Sequence, residues 1–173
     1  MSRAAFGKFV NSLTEDDLKA ELKLLYTKFD DIKKHYAMEL GSDADRKKLF
    51  DKAKKEIRNL LYIGEKARKR PRIQKIKNKL KEVAKLSIFQ HETADLYLYA
   101  CEMEMSYIYA RNSSVKALYN NCKENYQKAC ELIKQLSLQD EFHKRCSLLQ
   151  AKAYHVYLIE EDMKTAYKDT FSD

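Results

Sequence analysis

Three glycines, one proline and no tryptophan occur among 173 residues. Glycine and proline supply the unusual backbone angles of tight turns, so a chain this poor in both lacks the punctuation of hairpin-rich sandwiches and barrels. Gly7, Gly41 and Gly64 stand far apart. They build neither a dinucleotide-binding G-x-G-x-x-G turn nor a phosphate-cradling loop nor a nucleophile elbow. The four cysteines, Cys101, Cys122, Cys130 and Cys146, show no C-x-x-C spacing. Cys122 and Cys130 fall on one predicted helix about 12 Å apart by rise, beyond disulfide reach, so the cysteines are expected to be reduced and mostly buried. The opening residues Ser2-Arg3-Ala4-Ala5-Phe6 hold no apolar core of signal-peptide length, and no later run approaches the ~20 apolar residues of a membrane span. The expectation is a cytoplasmic protein.

What remains is rich in Lys, Glu, Leu and Ala, the residues that lose least on entering a helix. Hydrophobic residues make up 45% of the chain, enough to bury the core of one domain. The predicted fold is all-α: one domain over residues 1–173, built of antiparallel helical hairpins as a bundle or short solenoid of five to six helices.

Arg3 to Asn11 reads as a short opening helix. Thr14, followed by Glu15, Asp16 and Asp17, is an N-cap with acidic residues at the positive end of the helix dipole. Leu18, Leu22, Leu25, Phe29, Ile32 and Tyr36 form one apolar stripe, predicting a single helix that runs to Gly41. Ser42 or Asp43 caps the next helix, with Leu49, Phe50, Ala53, Ile57, Leu60 and Leu61 inward and Gly64 as its stop. The two are expected to pair as a hairpin. Residues 65–72 are a basic connector, and Ile73, Ile76, Leu80 and Val83 mark a third long helix. From about His91 to Asn112 the residues are apolar almost all round, which predicts the central, most buried helix. The alternation Leu96-Tyr97-Leu98-Tyr99 also suits a strand, but no partner strand is evident. Ser113 or Ser114 caps a helix carrying Leu118, Cys122, Tyr126, Ala129 and Ile133. A final helix runs from about Asp140 towards Tyr167, with Phe142, Cys146, Leu149, Ala153 and Tyr157 inward.

Metal and catalytic constellations are fragmentary. Asp140 and His143 form half of a di-metal carboxylate pattern, His91 and Asp95 two ligands of a zincin-like helix, and His143 with Cys146 half of a zinc site; structural and catalytic metals need three or four ligands. Glu102 and Glu104, two apart, point to different sides of a helix and make a poor acid–base pair. The chain is read as non-enzymatic and without a cofactor.

Charge is where the sequence becomes specific. Residues 65–85 hold ten basic residues against Glu65 and Glu82, a net +8 that equals the charge of the whole chain. Lys66, Arg68, Lys69, Arg70, Arg72, Lys75, Lys77, Lys79 and Lys81 are the polyanion-binding candidates: clustered cations bind phosphate backbones by releasing counterions. Nucleic acid is the leading partner and an acidic protein or anionic membrane surface the lesser one. The plainest reading is a solvated face, partly neutralised by Glu92, Asp95, Glu102 and Glu104 of the following helix. The alternative function is a protein–protein scaffold that uses the tyrosine-rich C-terminal helices, for which a large apolar groove is required.

Leu25-Tyr26-Thr27-Lys28-Phe29, Ile32-Lys33-Lys34-His35-Tyr36, the Arg68-Lys69-Arg70-Pro71-Arg72 stretch, Ala94-Asp95-Leu96-Tyr97-Leu98-Tyr99 with Glu102, and Leu136, Leu138 and Phe142 together resemble a family of small bacterial proteins known as a domain of unknown function. The resemblance covers residues 5–146, with a tail beyond residue 150 longer than the family norm. It implies a bacterial cytosolic helical protein and brings no activity, cofactor or substrate.

Overall fold

The computed structural model describes residues 2–87, 89–154, 156 and 158–172. Tyr157, expected on the inner face of the last helix, lies outside the described residues. The described chain is all-α, with nine helices and one two-stranded hairpin. It divides into two compact units, Met1–Gly41 and Ser42–Asp173.

The first unit holds α1 (Arg3–Ser12), α2 (Glu15–Lys28) and α3 (Asp30–Glu39). Ser2 caps α1 through its hydroxyl. Thr14 caps α2 in a full capping box, its side chain accepting from Asp17 N while Asp17 reaches back to Thr14 N. The single helix predicted over 14–41 is instead two. Phe29 takes extended angles (φ −119°, ψ 118°) and leaves one helix to start the next. The apolar stripe carried no sign of this break, because the restart places Ile32 and Tyr36 at helical spacing again, but Asp30 and Asp31 directly after it are first-turn acids.

The second unit comprises α4 (Asp43–Leu61), β1 (Tyr62–Ile63), β2 (Lys66–Ala67), α5 (Ile73–Leu86), α6 (Gln90–Arg111), α7 (Lys116–Gln135), α8 (Gln139–Ala153) and α9 (Glu160–Phe171). Ser42 caps α4, accepting from Asp45 N. Gly64 does not end α4, which stops at Leu61; it opens the turn of the β hairpin with φ +57°, where any side chain would be strained. The basic connector therefore begins as paired backbone, Tyr62 against Ala67 and Ile63 against Lys66. A second correction concerns the last predicted helix, which breaks after Ala153 and resumes at Glu160. A third is the cap of α7: Val115 holds that position without a side-chain bond, while the Ser113 hydroxyl accepts from Val115 N. The breaks at Phe29 and after Ala153 turn two of the seven helices placed along the sequence into four, giving nine where a bundle of five to six was expected.

Helix α6 is the centre of this unit, packed against α4, α5, α7 and α8. Leu96, Leu98, Ala100, Cys101, Met105 and Ile108 are buried on more than one of its sides, as its apolar circumference predicts. Asn112 in the left-handed region ends it. Tyrosine hydroxyls tie the elements together by donating to backbone carbonyls: Tyr107 to Arg68, Tyr109 to Lys152, Tyr119 to Ser113 and Tyr126 to Cys146.

Candidate functional site

Helix α5 presents Ile76 and Leu80 to the core and carries lysines on both flanks of that stripe. The flanks meet different neighbours. Lys79 Nζ pairs with Glu56 Oε2 of α4 at 2.8 Å and Glu82 Oε2 at 2.9 Å, and Lys77 Nζ pairs with Glu124 Oε2 of α7 at 2.9 Å. Burial by itself would lower the Lys79 pKa, but the two carboxylates outweigh it and hold the ammonium charged. Part of the basic charge is thus neutralised inside the fold. The carboxylates responsible are Glu56, Glu82 and Glu124, while two of those expected to do so, Asp95 and Glu102, are engaged elsewhere.

Arg68 is also taken. Its Nε donates to Asn59 O at 2.7 Å, its amide to Leu61 O at 2.8 Å, and its carbonyl accepts from Tyr107. Of the nine candidates, Lys66, Lys69, Arg70, Arg72, Lys75 and Lys81 are exposed and have no ion-pair partner among the described residues. Five of these six cluster on the hairpin and the first turn of α5.

A groove runs beside them, between α5 and α7, over roughly the 21 Å that fourteen helical residues span. Its open end, about 500 Å³, is bordered by Arg72, Lys75, Lys77, Asn120 and Glu124. The Lys77–Glu124 pair separates this from a middle section of about 120 Å³, walled by Lys81, Lys128, Asn121 and Asn125 and floored by Tyr97 of α6. Tyr97 and Lys128, whose ammonium lies 5.7 Å over the ring, continue into a third section of about 280 Å³.

Beneath the middle section is Glu104, expected from the sequence only as half of a poor acid–base pair and as one neutraliser of the basic face. Glu104 is fully buried in α6, and its two oxygens accept from Asn121 Nδ2 and, at 2.9 Å, Asn125 Nδ2. Burial pushes its pKa up to about 8 against the opposing pull of the two amides and of Lys77. Below that pH it is a neutral acid. Such a shift suits a general acid, but this one has no exposed surface to offer a substrate. Asn121 and Asn125, four apart on one face of α7, were the available sequence signal.

A second cluster joins α4, α6 and α8. Arg145 Nε and Nη2 bind both oxygens of Glu102 at 2.7 and 3.0 Å, and Nη1 binds Asp95, which also holds Lys54 at 2.5 Å. This uses the Asp95 that a zincin-like site would have needed, and His91 lies 2.8 Å from Glu141 instead. His143 shares a hydrogen bond with Tyr167. No group of three potential metal ligands occurs among the described residues.

All four cysteines are buried and free, with Cys101 and Cys122 bringing their sulfurs to 3.5 Å across the α6–α7 interface. The hydrogen bond to Cys122, together with burial, raises the Cys101 pKa well above the ordinary thiol value. We predict that a thiol-specific chromogenic disulfide labels none of the four in the native protein at neutral pH and all four in guanidinium. Rapid native labelling would contradict the burial.

The tyrosine-rich half holds both exposed and buried tyrosines, Tyr109 and Tyr154 among the exposed. Tyr97, Tyr107 and Tyr126 are buried, and the cavity between α7 and α9 is bordered largely by polar residues such as Gln127, Lys134, Thr165 and Asp169. No helix among the described residues is long and apolar enough to cross a membrane.

No curated protein and no solved structure matches the chain. The model of a family of unknown function (DUF6155) matches residues 1–171, so the match takes in the tail beyond residue 150 as well as the stretch that carried the resemblance. The chain belongs to this family of unknown function.

Proposed function

We propose that the protein is a non-enzymatic binding module that engages a polyanion, nucleic acid foremost, through the hairpin and the first turn of α5. One observation carries the reading. Lys66, Lys69, Arg70, Arg72 and Lys75 stand exposed together without internal partners among the described residues, beside a groove whose walls add Lys81 and Lys128. Six phosphates met by six cations would give a log–log salt slope of about −5 for duplex DNA. The burial of Glu104 supports a non-catalytic role, since the strongly shifted carboxyl is withheld from any substrate. A cytoplasmic location and a bacterial source accompany this reading as expectations.

The test is binding of the purified chain to single- and double-stranded nucleic acid across a salt series. The informative variant replaces Lys69, Arg70, Arg72 and Lys75 by Ala and leaves Arg68, Lys77 and Lys79, which hold the fold, untouched. Its slope is expected to be shallower by about 3 to 4 and its low-salt affinity to fall at least a hundredfold. Unchanged binding would sink the assignment, and no binding by the wild type at low salt would make the segment a solvated face. The scaffold reading has less support, because the tyrosine hydroxyls are tied to backbone carbonyls rather than presented along an apolar groove.

A further inference from the structure

The unit Met1–Gly41 has helices but no core. Each of its described residues with an assigned exposure is exposed or half-buried. Phe6, Phe9, Leu22, Leu24, Tyr26, Phe29 and Leu40 are 46–78% exposed, a concentration found nowhere else among the described residues. A segment this short that buries no side chain fully cannot offset its own ordering entropy. Its caps and hydrogen bonds fix where helices start without supplying a reason for them to persist. The apolar stripe of α2 and its neighbours is a surface that requires an occupant.

We infer that this occupant is a second copy of the same unit, so that the chain forms a two-fold symmetric dimer through α1–α3. Two observations select it. The first is area. Seven large apolar side chains, each about half exposed or more, present roughly 700 Å², close to the ~800 Å² per partner of a standard stable interface. The second is charge. The unit carries seven basic and seven acidic residues and is neutral, in contrast to the +8 of the rest of the chain. It is therefore not drawn to an anionic membrane or to nucleic acid. Along α2 the charges are graded: the first half holds Glu15, Asp16, Asp17 and Glu21 against Lys19, which pairs with Glu15, a net −3, and the second half holds Lys23 and Lys28, a net +2. Such a helix is its own complement when two copies run antiparallel, each acidic end facing the partner's basic end, as an isologous interface requires. The apolar stripe of Leu22 and Phe29 then lies in the seam.

Sedimentation equilibrium of the full chain, from low- to high-micromolar concentration, reads this directly. The expected result is a mass rising to twice the 20.4 kDa of one chain. The double variant Leu22→Glu with Phe29→Glu should remain at the single-chain mass throughout with unchanged far-ultraviolet circular dichroism of the main helical unit. Leu148→Glu, at an exposed apolar position of α8, should dimerise as the wild type does. Lys28→Glu keeps every apolar side chain and should weaken the dimer severalfold, because it places acid against acid. A wild type that stays at the single-chain mass overturns the proposal, and so does a monomer that instead co-sediments with anionic phospholipid vesicles. Equal dissociation by Leu148→Glu overturns the assignment to this unit. Loss of dimerisation and loss of nucleic-acid binding are separable, since the variants share no residue with the basic segment.

Discussion

Glu104→Gln will flatten a pH dependence that the wild type shows between about 4.5 and 8. The sign follows from the proton count. The unfolded carboxyl titrates near 4.5 and the folded one near 8, so in between the native state holds a proton that the unfolded state has lost. Stability must then fall as pH rises through this window, and it levels off above the folded pKa. The full excursion is on the order of 5 kcal/mol at about 1.4 kcal/mol per unit. A glutamine side chain keeps the shape and can accept from one asparagine while donating to the other's carbonyl after an amide flip. It carries no charge to bury. The difference between wild type and Glu104→Gln in urea midpoints, measured from pH 5 to 9, isolates this one group from all others that titrate. The variant is expected to gain relative stability steadily up to pH 8. A difference that stays constant with pH would mean that the carboxyl titrates in the ordinary range and that the core admits water.

Removing Arg145 should be the most damaging single truncation of a charged side chain. Its guanidinium, on α8, satisfies both oxygens of Glu102 and one of Asp95, which both lie on α6, two helices earlier in the chain. All four side chains of the cluster, with Lys54, keep only 25–29% of their exposure. Arg145→Ala leaves two partly buried carboxylates facing Lys54 alone, which should cost about 2–3 kcal/mol, below the 3–5 of a fully buried pair. For a chain of this size that is a fall in Tm of about 5–10 °C. Arg145→Lys should recover less than half, since an ammonium cannot grip Glu102 with two parallel bonds. Burial by itself would raise the Asp95 pKa, but hydrogen bonds from Lys54 and Arg145 outweigh it and bring it below 3.8. Its contribution is therefore present above that pH and lost as pH falls through the lowered value. Calorimetry at neutral pH and below pH 3 should show the wild-type advantage over Arg145→Ala shrinking in acid.

Much of this architecture was legible from residues. Thr14 and Ser42 announced their helices, and the apolar circumference of residues 91–112 announced the central one. The breaks were not legible where no glycine or proline marked them: Phe29 continues the stripe it interrupts, and Ala153 to Glu160 holds neither residue type. The hairpin was missed for the opposite reason. Gly64 was read as a helix stop, whereas Gly-Glu between Tyr62-Ile63 and Lys66-Ala67 is also a two-residue hairpin signal. In the candidate site, charge counting marked the segment but could not say which cations have partners. Lys77 and Lys79 look like their neighbours in sequence, and only the approach of Glu124 and Glu56 separates them. Glu104 was read as a surface carboxylate because the asparagines that bury it lie on another helix.

The hairpin's anchoring sets how any partner would be read. Leu60 and Leu61 accept from the amides of Arg72 and Arg68, Asn59 from the Arg68 side chain, and Tyr107 clamps the Arg68 carbonyl from the central helix. Cations on a floppy tail respond only to the amount of negative charge nearby. Cations mounted on such a braced base keep set separations, like teeth on a comb. On the proposed polyanion reading, the basic cluster would favour partners whose charges repeat at a matching interval, without regard to the bases or side chains that carry them.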